Sequence, residues 1–384
     1  MKEKLLLIPG PTPVHPRIIN RLSLPTVSHV GPEMVIELKG AVENLKKIVD
    51  CSSGEAFIVA GAGTLAMEMA VLNMIGRGEK ALIISHGYFG ERMVDIFRAF
   101  DLEAEVLTAP WGKGVYPEEL ERKLKQSTYA AVICTHVDTA TGTCAPIKEF
   151  ASLLRHREEL LIVDGVCATG GIEEFMDSWG IDVILTAAQK CFGAPPGLAI
   201  LVASPRAMEK RKALKSIPAY YADLLRWLPI MQDPSKYFST PCVNEIRAFY
   251  EATLIVLEEG LEKRFNRHRQ IARAIRVALK ELGFSFFTDE AFLAPTLSVV
   301  RYPQGIDDKK FRQTLYDKGV VVAGGLGSTA GQVFRMGHMG NISHEQVVYA
   351  LEAIEKTLIS LNFPVMTGTA VEAAQPYLEG KQPS

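Results

Sequence analysis

Apolar and amphipathic stretches alternate along the first half of this chain. Short apolar runs at residues 56–60, 81–85, 103–107, 130–135 and 160–164 predict buried strands. Between most of them, apolar positions recur at helical spacing over 64–75, 90–100 and 117–125. Strands apolar on both faces and separated by amphipathic helices imply a mainly parallel central sheet with right-handed crossovers. The rhythm changes after Asp164, where 183–186 and 198–203 read as short strands with little helix between them. One long helix over 243–282 is then expected to lead into a smaller α+β unit, built from 296–302, 307–318, 319–323, 332–336 and 343–361. The fold expected is thus α/β, with an N-terminal arm at 1–15, a large domain at 16–258, a small domain at 259–363 and a tail at 364–384. The tail is rich in Ala, Pro and Gly and is expected to be loosely held.

Ligands of open α/β sheets sit beyond the carboxyl ends of the strands, so the chemistry is sought in the loops there. The run Leu160-Leu161-Ile162-Val163-Asp164 ends in a carboxylate. Leu185-Thr186-Ala187-Ala188-Gln189-Lys190-Cys191-Phe192-Gly193 ends in a lysine that runs at once into small residues, prolines and glycine. A lysine held between a strand end and such a turn is partly desolvated, which lowers its pKa and prepares the amine for a Schiff base. A surface lysine on a turn is the plain alternative. The pairing with Asp164 favours the chemical reading, because a strand-end Asp and a strand-end Lys are what pyridoxal phosphate requires. The carboxylate keeps the pyridine nitrogen protonated and the amine holds the aldehyde.

The turn Gly61-Ala62-Gly63-Thr64-Leu65-Ala66 joins a strand to a helix start, offering bare N–H groups and a hydroxyl to an anion. It also fits the dinucleotide fingerprint G-x-G-x-x-A. That second reading needs an acidic residue at the end of the next strand, and Ser85-His86-Gly87-Tyr88-Phe89 supplies none, so the phosphate reading is preferred. Phe89 is placed to stack on a cofactor ring or to serve as ordinary core. Thr135 through Gly142 supplies hydroxyls at another strand end. Arg335, inside the apolar run Val333-Phe334-Arg335-Met336-Gly337, suits a substrate carboxylate or a structural ion pair.

Composition narrows the field. A formal charge of −2 gives no field for nucleic acid or an anionic membrane. No run is long and apolar enough to span a bilayer, and the apolar stretch at residues 5–8 is too short for a signal-peptide core. Cys51, Cys134, Cys144, Cys167, Cys191 and Cys242 lack C-x-x-C spacing, so they read as reduced thiols with neither disulfide frame nor metal site. A cytoplasmic location is expected.

Several of these segments together carry a resemblance. They include Pro9-Gly10-Pro11-Thr12-Pro13, Gly61-Ala62-Gly63-Thr64, His86-Gly87-Tyr88-Phe89-Gly90-Glu91-Arg92, His136 through Gly142 and Val163-Asp164-Gly165-Val166. Gln189-Lys190, Ala194-Pro195-Pro196-Gly197, Tyr237 to Thr240, Gly324-Gly325-Leu326-Gly327 and Arg335-Met336-Gly337 follow in the same order. The chain resembles the class V aminotransferases of PLP fold type I, in the branch of alanine–glyoxylate, serine–glyoxylate and serine–pyruvate aminotransferases. The resemblance implies that Lys190 holds the cofactor's aldehyde and Asp164 pairs with the ring nitrogen, with Val166 beside the ring and Phe89 stacked on it. Ala62, Gly63, Thr64 and Gln189 would hold the phosphate, with Tyr237 and Thr240 reaching in from the second subunit of a homodimer. Thr139 would lie near the ring hydroxyl, and Gly10 and Arg335 would frame the substrate. Two positions depart from common family patterns: Ala62-Gly63-Thr64 stands where some members have Ser-Gly-His, and Phe89 where Trp is frequent.

One arginine for one carboxylate leads to serine, and also alanine, as amino donor, with pyruvate or glyoxylate as acceptor and a serine–pyruvate aminotransferase favoured. A 2-aminoethylphosphonate–pyruvate aminotransferase is the nearest rival, since Arg335 would also bind a phosphonate. A PLP-dependent lyase or desulfurase would need a nucleophilic cysteine. Cys191, beside the lysine, is expected to point away from the ring, and Cys242 follows Pro241 at a helix start. A non-catalytic binding protein on the same scaffold is disfavoured by the intact Lys190 and Asp164.

Overall fold

The computed structural model describes residues 4–380. Seven strands form the principal sheet: β1 (Glu55–Ala60), β2 (Lys80–Ser85), β3 (Glu103–Thr108), β4 (Ala131–Thr135), β5 (Leu160–Asp164), β6 (Val183–Ala187) and β7 (Leu198–Ala203). Their order across the sheet is β1-β7-β6-β5-β4-β2-β3. Only β7 runs against its neighbours; the other pairings are parallel. Every residue of β4, β5 and β6 is buried, as expected for apolar strands with helices on both faces. The chain steps outward from β2 to β3 and returns to β4 on the other side of β2. That reversal opens a crevice at the carboxyl ends of the strands.

A second, antiparallel sheet contains β8 (Ser285–Phe286), β9 (Leu297–Arg301), β10 (Ala323–Gly324) and β11 (Val333–Gly337), in the order β8-β9-β11-β10. Phe284, Phe311 and Phe334 make its aromatic core, against which helices Leu261–Glu281 and His344–Ser360 pack. A small apolar cluster joins the two sheets, with Val137, Cys167 and Cys191 from the first meeting Leu297, Val299 and Val333 from the second. This seam fixes β11, and with it Arg335, against the strand ends of the main sheet.

The N-terminal segment stitches the same seam. Leu5–Leu6 pairs in parallel with Val320–Val321. The Leu7 carbonyl then accepts the Gly337 N–H at 2.8 Å, and the Thr12 hydroxyl donates to the Lys190 carbonyl at 2.9 Å. A side chain at Gly337 would run into the Ile8 carbonyl at 2.3 Å, so only glycine lets the two backbones come this close.

Three expectations need correction. The helix expected over 243–282 is two helices, Val243–Glu259 and Leu261–Glu281, because Gly260 takes φ 84° and ψ 133° between them. Amphipathic pattern alone runs through such a break, and the left-handed φ that a glycine permits does not show in it. The first helix packs into the core of the main sheet and the second into that of the small one. The strand expected at 319–323 is divided into Val320–Val321 and β10, which join different sheets. The tail is not loosely held through residue 380: Thr369–Leu378 is a helix that buries Ala370, Ala374 and Leu378 against Leu261–Glu281 and His344–Ser360.

The buried Glu355 carboxylate accepts the N–H groups of Gly368 and Ala370, capping that terminal helix from outside. Glu355→Ala is expected to cost roughly 1–3 kcal/mol in a denaturant melt, the penalty for stranding buried donors. It should also open residues 364–380 to proteolysis. An unchanged melt would mean that the apolar contacts alone dock the helix.

Candidate active site

The crevice holds a cavity of 180 Å³ lined by the loops that follow β1, β2, β4, β5 and β6. Ala62, Gly63 and Thr64 come from the first loop, Phe89 from the second and Thr139 from the third. Asp164 and Val166 come from the fourth, and Gln189 and Lys190 from the fifth. These nine sequence-derived candidates are thus gathered in one place by strand order alone.

Asp164 is buried at the end of β5 and forms no ion pair with any described residue. Its carboxylate accepts the Val166 N–H at 3.1 Å and the Thr135 hydroxyl at 3.4 Å. Burial, reinforced by the nearby Asp138 and Glu174 carboxylates and only partly offset by the Val166 N–H, pushes its pKa up to about 6. Lys190 donates from Nζ to the Pro9 carbonyl. A Cβ at Gly10, whose φ is 99°, would overlap the lysine side chain at 2.3–2.8 Å. Gly10 therefore bears on the site by leaving room for Lys190.

The helix Gly63–Met74 begins at Ala62 with no side-chain cap, so its first N–H groups face the cavity free for an anion. Gln189 Oε1 is buried there with no hydrogen-bond partner among the described residues. A partnerless carboxylate, an amine, an uncapped helix start and the Gln189 amide, whose NH2 could donate to a phosphate, fit pyridoxal phosphate around one cavity. Asp164 and Lys190 would hold its ring nitrogen and aldehyde, and the helix start with Gln189 its phosphate.

Arg335 lies on β11. Its Nε donates to the Gly324 carbonyl at 2.7 Å and its Nη1 to the Thr139 carbonyl at 3.4 Å. Burial pulls its pKa below the ordinary value, and it meets no carboxylate at ion-pair distance among the described residues. The structural ion pair weighed from sequence is absent there. Tyr237 and Thr240 are exposed and do not line the cavity of their own chain; Tyr237 packs edge-on against His29, with ring centres 5.6 Å apart.

Sequence reasoning passed over two residues. Asp138, fully buried, accepts the N–H groups of Phe89 at 2.7 Å and Ala140 at 2.8 Å, clamping the Phe89 loop to the Thr139 loop. Its carboxylate fills the space where a Cβ on Gly87 would be, so the Gly87 and Asp138 positions are one device. Arg92 lines the cavity from one helical turn beyond Phe89, with its guanidinium 4.7 Å from the centre of that ring. The spacing of Phe89 and Arg92 on a helix start was the available signal.

The sequence pattern of the family Aminotransferase class-V matches residues 19–348. L-aspartate–glyoxylate aminotransferase of Paracoccus denitrificans is 32% identical over 96% of this chain and 95% of its own. Serine–glyoxylate aminotransferase of Arabidopsis thaliana is 31% identical over 97% and 95%. The crystal structure of ureidoglycine–glyoxylate aminotransferase from Bacillus subtilis superposes with a TM-score of 0.93, at 28% identity and 99% coverage of both chains. The chain belongs to the class V aminotransferases. It is a pyridoxal phosphate-dependent transaminase with the type I fold of that cofactor class.

The raised pKa of Asp164 has a consequence for the cofactor-free protein. Its burial costs stability increasingly as pH rises from 3.8 toward 6, in full above about 6, and not at all well below pH 3.8, where the carboxyl is protonated both folded and unfolded. Asp164→Asn is therefore expected to stabilise the apoprotein at pH 8, by up to about 3 kcal/mol from the size of the shift. The gain should largely vanish near pH 4. Denaturant melts at the two pH values check this, and equal stability at pH 8 would mean that the carboxylate is better solvated than its burial implies.

Proposed function

We propose that this transaminase moves the amino group of a small amino acid, serine foremost and alanine also, to glyoxylate or pyruvate. The observation that carries the reading is the partnerless Arg335 guanidinium, held by two backbone carbonyls at the seam between the sheets. A planar fork with no acid partner suits the single carboxylate that every α-amino acid presents. The relatives support the acceptor: three proteins similar to this chain carry glyoxylate in their names, whereas their donors differ.

Within this reading the residues divide the work. Bound pyridoxal phosphate supplies the electron-withdrawing ring that makes the substrate's α-proton labile. Asp164 would hold a proton on the ring nitrogen, and Phe89 and Val166, which line the same cavity, would hold the ring. Lys190 would hold the cofactor's aldehyde at rest, and its freed Nζ would be the group that takes the proton from the substrate's α-carbon. Gly10 leaves the lysine room to swing, and the Pro9 carbonyl gives Nζ an acceptor in its resting position. We further propose a homodimer in which Tyr237 and Thr240 complete the phosphate site of the partner subunit, in keeping with their exposure here.

A dicarboxylate donor is the competing reading. Arg92 is a second cation at the same cavity, and one relative is named for aspartate. Its Nη1 lies 3.3 Å from the Thr64 hydroxyl, on the proposed phosphate side, which favours the small donor. The lyase reading is weakened by the thiols nearby: burial holds Cys167 up to about 11 and raises Cys191 further, so neither is a ready thiolate.

The test is a panel of serine, alanine, aspartate, glutamate and 2-aminoethylphosphonate as donors, each with glyoxylate and with pyruvate. Serine and alanine are expected to lead. A lead for aspartate would overturn the donor assignment, as would one for the phosphonate.

Arg335→Lys should lower kcat/KM roughly ten- to more than a hundredfold, similarly for serine and alanine, as expected for losing a charge-assisted bond. Unchanged kinetics would remove Arg335 from the carboxylate site.

Mixing inactive Lys190→Ala chains with inactive Thr240→Ala chains should restore part of the activity if the sites are shared. No recovery after verified subunit exchange would count against the shared site.

A further inference from the structure

We propose that Arg92 supplies the positive charge that holds the cofactor's phosphate, and that through Phe89 it ties phosphate binding to the seating of the ring. The proposal rests on the phosphate being placed at Ala62–Thr64 as read above. Every group assigned to the phosphate there is neutral: Ala62, Gly63, Thr64 and Gln189 in this chain, and Tyr237 and Thr240 from the partner subunit. A phosphate monoester carries a charge of about −1.5 to −2 at pH 7, whereas a helix start offers the equivalent of only about half a positive charge. The site as assigned therefore falls short of a counter-charge.

Arg92 is placed to supply it. The helix Tyr88–Ala99 starts directly after β2, which sets its first turn beside the start of the helix Gly63–Met74. Arg92 Nη1 donates to the Thr64 hydroxyl at 3.3 Å, and the side chain lines the cavity together with Ala62, Gly63 and Gln189. No carboxylate among the described residues lies at ion-pair distance from it. Neighbouring Glu91 is turned elsewhere, accepting the Trp111 indole N–H at 2.8 Å. The guanidinium also lies over two aromatic rings, 4.7 Å from the centre of Phe89 and 5.3 Å from that of Tyr88. A cation over an aromatic face is attracted to it. The arginine thus braces the same Phe89 that is proposed to stack on the cofactor. One side chain touches both the hydroxyl assigned to the phosphate and the aromatic wall assigned to the ring.

The two contacts are separated by comparing cofactors with and without the phosphate. Wild type, Arg92→Gln and Arg92→Lys, each stripped of cofactor, are titrated with pyridoxal phosphate and with pyridoxal, following the absorbance of the Schiff base with Lys190. Arg92→Gln is expected to weaken pyridoxal phosphate about ten- to a hundredfold, the loss of a charge-assisted bond, while pyridoxal, which loses only the brace on Phe89, is weakened far less. Arg92→Lys keeps the charge without the fork and should fall between. Inorganic phosphate should compete with pyridoxal phosphate on wild type and far less on Arg92→Gln. An equal loss for both compounds would overturn the proposal and leave Arg92 as a brace for Phe89 alone. Unchanged pyridoxal phosphate affinity with a raised KM for aspartate would overturn it in favour of a donor-binding arginine. A wild type that forms no Schiff base with either compound would fail the site reading itself, a result distinct from both.

Discussion

A carboxylate sits at the end of a central strand of this protein, sealed from water and without a cation of its own. Removing such a charge from solvent is costly, and two backbone-scale hydrogen bonds do not restore what water provided. Asp164 therefore carries a burial cost that a proton or an incoming positive group relieves. A protonated ring nitrogen bound there, as proposed, would be such a group, and the cost of burying Asp164 would then favour its binding. Asp138 and Glu174 raise the cost further, and their placement behind Asp164 biases the site toward the cation.

The loops around Asp164 are rigid for reasons that are local and separate. The Val166 N–H comes from its own turn and the Thr135 hydroxyl from the neighbouring strand, opposite Asp164 in the β4–β5 register. Asp138 grips the N–H groups of two loops at once, and Gly87 makes room for that grip. His136 Nδ1 lies 2.6 Å from Glu174, whose other oxygen accepts the Thr169 hydroxyl at 2.6 Å. The Thr135, Asp138 and His136 links join segments at the ends of different strands, so the carboxyl edge of the sheet behaves as one polar platform. Placement of Asp164 and of the cavity walls at Phe89, Thr139 and Val166 is inherited from that platform rather than from any single contact.

Much of this was legible in the sequence because the information is one-dimensional. Apolar runs of strand length mark β1 to β7 to within one residue at each end, since burial leaves few polar positions to blur the central strands; the edge strand β3 is partly exposed along its length, with Glu103 and Glu105 in it. Asp164 and Lys190 stood out because a charged residue ends an apolar run. The break at Gly260 was not legible: a glycine inside a helical pattern either continues or ends it, and the φ of 84° is settled by which core each half packs on. The docked terminal helix was hidden for a related reason. Thr369–Leu378 is short, contains Pro376, and owes its place to the distant Glu355 and to apolar contacts with Leu261–Glu281. Arg92 was in view within a recognised motif but had no assigned task, because its value depends on a hydroxyl 28 residues away in sequence.

The substrate end of the site follows a different logic from the cofactor end. Arg335 belongs to the small sheet, Thr139 to the loop after β4, and Pro9 and Gly10 to a segment that first pairs beside the small sheet. These pieces meet only because Val137, Cys167 and Cys191 interlock with Leu297, Val299 and Val333. A guanidinium held between two backbone carbonyls has a fixed direction but an uncompensated charge, the arrangement that lets an arriving carboxylate gain most from the fork. In the proposed site two unpaired charges would act on different groups: Asp164 on the ring nitrogen and Arg335 on the substrate carboxylate. On that reading a small donor brings the one carboxylate that Arg335 would hold, while the ring nitrogen answers Asp164. A dicarboxylate would bring a second anion that one fork cannot hold, so under the proposed assignment donor choice would turn on whether Arg92 is engaged by the phosphate.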